Sequence, residues 1–404
     1  MQGRQFILNK DEVALPIKIK AHFIGFCYDA ANLLLGFFAY ILWPRNIKSP
    51  KKICVCRIGN IGDIICSIPA FIAVRKLYPG AHITLLTSPG AKNKPGAKEL
   101  FNNPWFIDKL WIYYTDEIKD LKFAYRFAKK LQAESFDLFI FLPQELITVK
   151  TLLRNLFFIK LCKVKKAVGF ELSTIKTWVR EQSTVYQFDN EVDRLANLLK
   201  RWSIPVSGEI DYDLPIPESI KKSTLNIINK YKIKKENVFG FMPGASYEAN
   251  QWPLDNFIEV GKFILKNYSD SQIIIFGGSG DIVNGEYIKS KIKSTSVFNL
   301  CGKTSLLETA FIINNLKLLI SNNTGLMHMA ALAGIKTIAI FFANELNGKW
   351  FPSYGDNVKL LIKMGIEKCD GNYYKGCPHD YNCLKATITP KEVSKEIVEM
   401  VKNE

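Results

Sequence analysis

Nine cysteines in 404 residues are too few and too scattered for a disulfide framework. Cys27, Cys54, Cys56, Cys66, Cys162 and Cys301 stand singly or in apolar runs and are expected to be buried thiols in a reducing compartment. Zinc-finger spacing, the RNP aromatic pattern and basic-region heptads are all missing, which excludes the common nucleic-acid-reading modules. The opening MQGRQFILNKDEVALPIKIK lacks the short apolar core and small-residue site of a cleavable leader. No internal repeat and no low-complexity tract occurs. Acid is in short supply, with 38 Asp and Glu against 54 Lys and Arg, for a net charge of +16. That excess favours an anionic partner: a phosphate or an anionic membrane surface before a nucleic acid.

What the chain does have is apolar material. Hydrophobic residues make up 48% and aromatics 12%, enough for a folded chain, and the length points to two domains. Ala21 to Trp43, AHFIGFCYDAANLLLGFFAYILW, is almost wholly apolar, with Lys18, Lys20, Arg45 and Lys48 flanking it. Its length matches a bilayer. Yet His22, Gly25, Asp29, Asn32, Gly36 and Tyr40 recur every three or four positions and draw a polar stripe down a helix. A narrow polar stripe, a broad apolar face and basic flanks predict an amphipathic helix lying in the membrane interface. A spanning helix with a costly central Asp, or a helix buried against the protein, are the alternatives.

Beyond it, apolar runs and helical stretches alternate. KKICVC, AHITLLT and FDLFIFL read as strands in the first half. VFGFMPG, QIIIFGG, KLLISNN and KTIAIFF follow in the second, with helices such as LKFAYRFAKKLQAE and LDNFIEVGKFILKNY among them. This pattern predicts α/β structure: two doubly wound domains with parallel sheets, facing one another across a cleft. RWSIPVSGEIDYDLPIPESIKK, with prolines at 205, 215 and 217, separates the halves. The expected organisation is residues 1–48 for the interface helix and its basic flanks, 49–204 for the first domain, 205–217 for the linker and 218–404 for the second domain with its Cys-containing tail.

Parallel sheets bind ligands where strand ends meet helix starts, and three loops have suitable chemistry. RIGNIGD follows the first strand. Gly59 and Gly62 allow a tight turn and a close backbone approach, Arg57 and Asn60 are polar neighbours, and Asp63 opens a helix. Asp63 has a bland reading, as a cap complementing the helix dipole, beside a chemical one. SNNTGLMHMAALAG leaves a strand and opens a helix; the amides of Thr324, Gly325, Leu326 and Met327 with the helix dipole make an anion seat. Asn323 and Thr324 can donate to phosphate or ribose oxygens, and His328 is either a ligand or a packed histidine. In PGASYEANQWP, Gly244 and Ala245 form a close-approach turn, Ser246 supplies a hydroxyl, and Trp252 with Pro253 fix the entry of the next helix. Gly277 and Gly278 in GGSGD can line a nucleotide pocket. Ser305 and Glu308 form a capping box.

Metal signals are weak. The pair Asp211 and Asp213 in DYD lies in the proline-rich connector, and Cys369, Cys377, His379 and Cys383 have a C-x7-C-x-H-x3-C spacing that matches no standard zinc module. Loop-packing thiols, a Cys377–Cys383 link and a structural metal all remain open for that tail.

Taken together and in this order, the loops resemble glycosyltransferase family 9, the heptosyltransferase-type enzymes of lipopolysaccharide core assembly. CRIGNIGDIICSIPAFIAVRKLYPGAHITLLT is similar to that family's opening strand–turn–helix–strand. MPGASYEANQWP and LISNNTGLMHMAALAG resemble its two donor-site loops, and NLCGKTSLLE its preceding segment. The resemblance implies a GT-B fold of two Rossmann-like domains, with acceptor on the first and nucleotide-diphosphate sugar on the second. It implies an inverting, metal-independent transfer to a lipid-linked saccharide, with no cofactor, at the cytoplasmic face of the inner membrane. Asp63 is then the general base. Two departures bear on the donor: Asn250 stands where such enzymes often have lysine, and Asn323 where they often have aspartate. Lys303 or Arg57 would replace the missing positive charge, and the sugar is heptose or another. A catalytically weak, membrane-tethered nucleotide-sugar-binding protein and a sugar-nucleotide epimerase of the same fold are the competing readings.

Overall fold

The computed structural model describes residues 15–43, 47–92, 94–144, 148–170, 189–206, 212–246, 248–342, 348–352, 355–363 and 388–402. The chain divides into two compact units, Met1–Asp211 and Tyr212–Glu404.

The first unit runs α1 (Leu15–Leu42), β1 (Lys52–Ile58), α2 (Ile61–Ile65), α3 (Ile68–Leu77), β2 (His82–Ser88), α4 (Ala97–Leu100) and β3 (Lys109–Ile112). It continues with α5 (Thr115–Ile118), α6 (Leu121–Glu134), β4 (Leu138–Leu142), α7 (Val149–Leu161), β5 (Lys166–Val168) and α8 (Glu191–Arg201). Its five strands are all parallel, in the order β3-β2-β1-β4-β5. Cys54, Val55 and Cys56 of β1 and all of β4 are buried, as a strand covered on both faces by helices requires. Strand order reverses between β1 and β4, and that is where a doubly wound sheet opens a ligand crevice.

α1 begins before Ala21 and packs by one face only. Leu35 and Trp43 join the buried cluster of β1, β4 and α7, with Ala31, Ala39 and Leu42 beside them. Trp43 donates through Nε1 to the Val164 carbonyl at 3.0 Å and stacks on Phe170 at 5.8 Å. Lys160 donates to the Leu42 carbonyl at 2.6 Å, and Lys166 to that of Trp43 at 3.0 Å, so lysines meet the carbonyl end of the helix and its dipole. The line facing the protein is therefore 31–35–39–42, one step round from the Asn32–Gly36–Tyr40 stripe. Leu33, Leu34, Phe37, Phe38, Tyr40 and Ile41 are exposed. Cys27 is exposed as well, against expectation, while the other five singly placed cysteines are buried. Among the described residues no helix is long and apolar enough to cross a membrane.

The second unit runs α9 (Glu218–Tyr231), β6 (Val238–Met242), α10 (Leu254–Asn267), β7 (Gln272–Ile275), α11 (Ile282–Ile292) and β8 (Val297–Asn299). It continues with α12 (Leu306–Ile313), β9 (Leu318–Asn322), α13 (Gly325–Leu332), β10 (Thr337–Phe342), β11 (Val358–Lys363) and α14 (Pro390–Lys402). The parallel sheet is ordered β11-β10-β9-β6-β7-β8, the doubly wound arrangement with its switch point between β6 and β9. Trp252, fully buried, packs edge-on to Phe257 at 5.0 Å and donates to the Ile388 carbonyl at 2.9 Å; it anchors α10 and the segment leading to α14. Ser305 and Glu308 form the capping box of α12, and Glu308 also accepts from Ser223 of α9 at 2.7 Å.

Candidate active site and family membership

The loop after β1 builds an oriented carboxylate. α2 is only five residues long, capped by Asn60, and Asp63 sits in its first turn. Asp63 Oδ2 accepts from the Asn60 amide at 3.1 Å, and Oδ1 accepts from Arg57 Nη2 at 3.1 Å. Ser67 donates to the Asp63 carbonyl at 2.6 Å. The side chain remains 15% exposed, so the acid is held and still open to solvent. Asp63 thus does the capping job the sequence allowed, tying down a helix-start amide, and keeps its carboxylate partly open to solvent. Asn60 is exposed, Gly62 half-buried and Gly59 buried. A β-carbon on Gly59 would fall 2.6 Å from Asp63 Oδ2, so the close approach that this glycine permits is to the catalytic candidate itself.

Arg57 is fully buried. It donates to the Leu142 and Pro143 carbonyls at 3.3 and 3.1 Å and to Glu191 Oε1 at 2.6 Å, besides Asp63. A guanidinium with no exposure, held by four acceptors at the β1/β4 switch point, is committed to the interior, so it does not take the place of a lysine on a diphosphate. Glu191, 1% exposed at the start of α8, accepts in turn from Arg194 Nε at 2.9 Å and Nη2 at 2.7 Å, and Arg194 also donates to the Pro143 carbonyl at 2.7 Å. The sequence reading missed Glu191 and Arg194. Their only local signal is an i,i+3 Glu–Arg pair on an amphipathic helix, which ordinarily marks a solvated face.

In the second unit, the loops after β6 and β9 meet at the switch point. Asn322, fully buried, accepts from the Trp252 amide at 3.1 Å and donates to the Pro243 carbonyl at 2.8 Å. One side chain therefore joins the PGASYEANQWP loop to the SNNTG loop. Asn250 ends a short 3-10 turn and is buried, Ala245 is half-buried and Ser246 exposed. Thr324 caps α13 by accepting from the Met327 amide at 3.2 Å. Asn323, Thr324 and Gly325 are half-buried above it, with Leu326 and Met327 buried. His328 is 2% exposed and packs edge-on to Trp350, 5.9 Å between ring centres; of its two readings, the packed one describes its surroundings.

The glycine loop after β7 differs from expectation. Cβ atoms on Gly244 and Gly277 would fall 2.5 Å from Asp281 Oδ1 and 2.7 Å from Asp281 Oδ2, and the Gly278 amide donates to that carboxylate at 2.8 Å. The space these glycines leave is taken by Asp281, whose significance the sequence reading did not mark. Lys303 donates to the Asn299 carbonyl at 2.8 Å and lies over the Tyr231 ring at 5.7 Å. Asp213 is exposed, whereas Asp211 and the Cys369, Cys377, His379 and Cys383 set lie outside the described residues. Among the described residues no cluster of three His, Cys, Asp or Glu side chains has the arrangement to hold a metal ion.

Comparison with known proteins decides what carries these loops. The family model described as glycosyltransferase family 9 (heptosyltransferase) matches residues 124–379. The chain belongs to glycosyltransferase family 9. It is 23% identical over 355 residues to lipooligosaccharide heptosyltransferase 2 of Campylobacter jejuni, covering 85% of this chain and 96% of that protein. With lipopolysaccharide heptosyltransferase 2 of Escherichia coli it shares 28% over 189 residues, 46% of this chain and 52% of the relative. Among solved structures, a family 9 glycosyl transferase from Veillonella parvula superposes with TM-score 0.69 at 17% identity, covering 88% of this chain and 99% of that one. The E. coli ADP-heptose lipopolysaccharide heptosyltransferase II superposes with TM-score 0.61 at 19% identity, covering 87% and 99%. The fold is that of these enzymes, two parallel doubly wound sheets, and the chain is a glycosyltransferase. Family membership sets aside the epimerase reading.

Proposed function

We propose that this glycosyltransferase moves a heptose from a nucleotide-diphosphate donor to a lipid-linked core saccharide of the lipopolysaccharide or lipooligosaccharide type. The C. jejuni relative, matched over nearly its whole length, bears that activity in its name. The observation that carries the mechanism is the Asp63 carboxylate, fixed on both oxygens by Arg57 and the Asn60 amide yet reachable from solvent. A hydroxyl of the acceptor gives its proton to Asp63 as its oxygen attacks the anomeric carbon from the face opposite the leaving diphosphate, so the configuration inverts. The half-buried Asn323–Gly325 turn at the start of α13 faces the departing charge with backbone amides and a helix dipole, in place of a cation. Gly244, Ala245, Ser246 and Asn250 shape the same donor site, which Asn322 holds together.

The enzyme works at the cytoplasmic face of the inner membrane, peripherally bound. α1 leaves Leu33, Leu34, Phe37, Phe38 and Ile41 uncovered, and α7, tied to the end of α1 through Lys160, adds Val149, Leu153, Phe157 and Leu161 at every fourth position. Lys48, Lys150, Arg154 and Lys163 are exposed on the same unit, and basic side chains beside apolar ones suit an anionic lipid surface.

The test is transfer of labelled heptose from ADP-heptose to heptose-deficient lipopolysaccharide, by the wild type and by Asp63→Asn. Wild-type transfer and a loss of about 10²-fold or more in the variant, with donor-induced thermal stabilisation kept, supports the reading. Unchanged turnover in Asp63→Asn removes the base. Stabilisation by UDP- or GDP-sugars but not by ADP-heptose removes the donor.

A further inference from the structure

Arg57 poses a difficulty for a base at Asp63. A guanidinium bonded to a carboxylate favours its charged form and lowers its affinity for a proton. A base oriented by a lone arginine would be well placed but weak. The network beneath Asp63 contains the remedy. The Nη2 atom that reaches Asp63 at 3.1 Å lies at 2.6 Å from Glu191 Oε1, so the shorter bond goes to the buried acid. Glu191 is itself held from the other side by the fork of Arg194. Two cations and two carboxylates are joined by these bonds, and the three innermost members are at most 8% exposed as side chains.

We propose that Glu191 is a positioning residue for the transfer reaction: it neutralises Arg57, so that the guanidinium orients Asp63 without suppressing its basicity. The proposal rests on Asp63 being the base. Arg57 contributes geometry, Glu191 cancels the charge that comes with it, and Arg194 makes the burial of Glu191 tolerable, since an unpaired buried carboxylate is costly. The ionisable groups bonded in this network come from two elements besides α2: Arg57 from β1, and Glu191 with Arg194 from α8. The end of β4 offers only the Leu142 and Pro143 carbonyls to this network. On α4, which packs on α2, Lys98 is exposed and Glu99 is occupied by the Gly96 amide at 2.7 Å.

The test is the acidic limb of the kcat/KM profile, which follows protonation of the base in the free enzyme. Glu191→Gln leaves Arg57 uncompensated, so the limb moves to lower pH by about one unit and the plateau rate falls. Arg57→Gln deprives Asp63 of its cation, so the limb moves to higher pH. Glu191→Asp keeps the charge and holds the limb near its wild-type position. Should Glu191→Gln fail to fold, the double variant Arg57→Gln/Glu191→Gln, which removes the cation and the anion that balances it, takes its place and brings the limb back from the Arg57→Gln position toward that of the wild type. Opposite movements support the proposal, because a scaffold role would lower rates without moving limbs apart. Limbs that stay put or move together overturn it while Asp63→Asn still abolishes turnover. Turnover surviving in Asp63→Asn overturns both the positioning role and the base.

Discussion

A β-carbon placed on Gly59 would lie 2.3 Å from the β-carbon of Asp63, well inside contact distance. The glycine is therefore required by the side chain it faces as well as by its own backbone, where φ is +156°. Gly59→Ala must push Asp63 off its hydrogen bonds to Arg57 and Asn60. We expect kcat to fall by about 10²-fold, the typical effect of a displacement near 1 Å at a reacting group. Donor binding, proposed for the second unit, should keep its affinity. An alanine variant with wild-type kcat would mean that the position of Asp63 is immaterial to catalysis.

In the proposed mechanism amides and a helix start stabilise the departing diphosphate, so transfer is expected to persist in excess EDTA and to gain nothing from added Mg²⁺ or Mn²⁺. Loss of activity on chelation, restored by a divalent ion, would redirect attention to Asp213 and the cysteine tail.

Sequence reading recovered the seven inner strands and missed the other four: β3, β5, β8 and β11. These are the four edges of the two sheets. An inner parallel strand is buried on both faces and reads as an apolar run. β5 and β8 have three residues each, and β3 is only half-buried throughout, so their signal drops into the background. The same distinction holds at the site. The turns that carry Gly59, Asp63, Asn323 and Thr324 were legible because turn chemistry is local. Glu191 and Asp281 were not, because their roles depend on Arg57 and on the Gly244–Gly277 pair, brought beside them by the tertiary fold.

α1 has one face packed on the core and one exposed, and the proposed membrane attachment uses the exposed one. Phe37→Ser combined with Phe157→Ser removes exposed apolar surface without touching the core. Each phenylalanine contributes roughly 1.5–3 kcal/mol when fully buried, so flotation with anionic vesicles should drop at least tenfold while the melting temperature holds. Binding to neutral vesicles should be weaker, and that to anionic ones should decline with salt. Deleting residues 1–44 is a different experiment: it also takes Leu35 and Trp43 out of the core, and melting falls as well. Flotation unchanged in the double serine variant would disconnect this surface from lipid.

Asp137 gives the first unit an acid-sensitive joint. Burial raises its pKa, but the bonds from the Lys165 ammonium and the Lys52 and Lys51 amides outweigh burial and hold it below the usual carboxylate value. A depressed folded-state pKa stabilises above the unfolded value and is lost as pH falls through the folded one. Asp137→Asn should therefore melt lower than the wild type at pH 7, and the gap should close as pH drops below about 4. A gap that stays constant across that range would show the carboxylate's charge to be irrelevant to the joint.

Glu191 is 134 positions along the chain from Arg57 and opens the last described helix of its unit. A ribosome has to deliver nearly the whole of that unit before the acid can take hold of the arginine, so a partly synthesised or locally frayed chain carries Arg57 without the acid that balances it. Burial of that guanidinium is thereby tied to the docking of α8, a contact made late in synthesis.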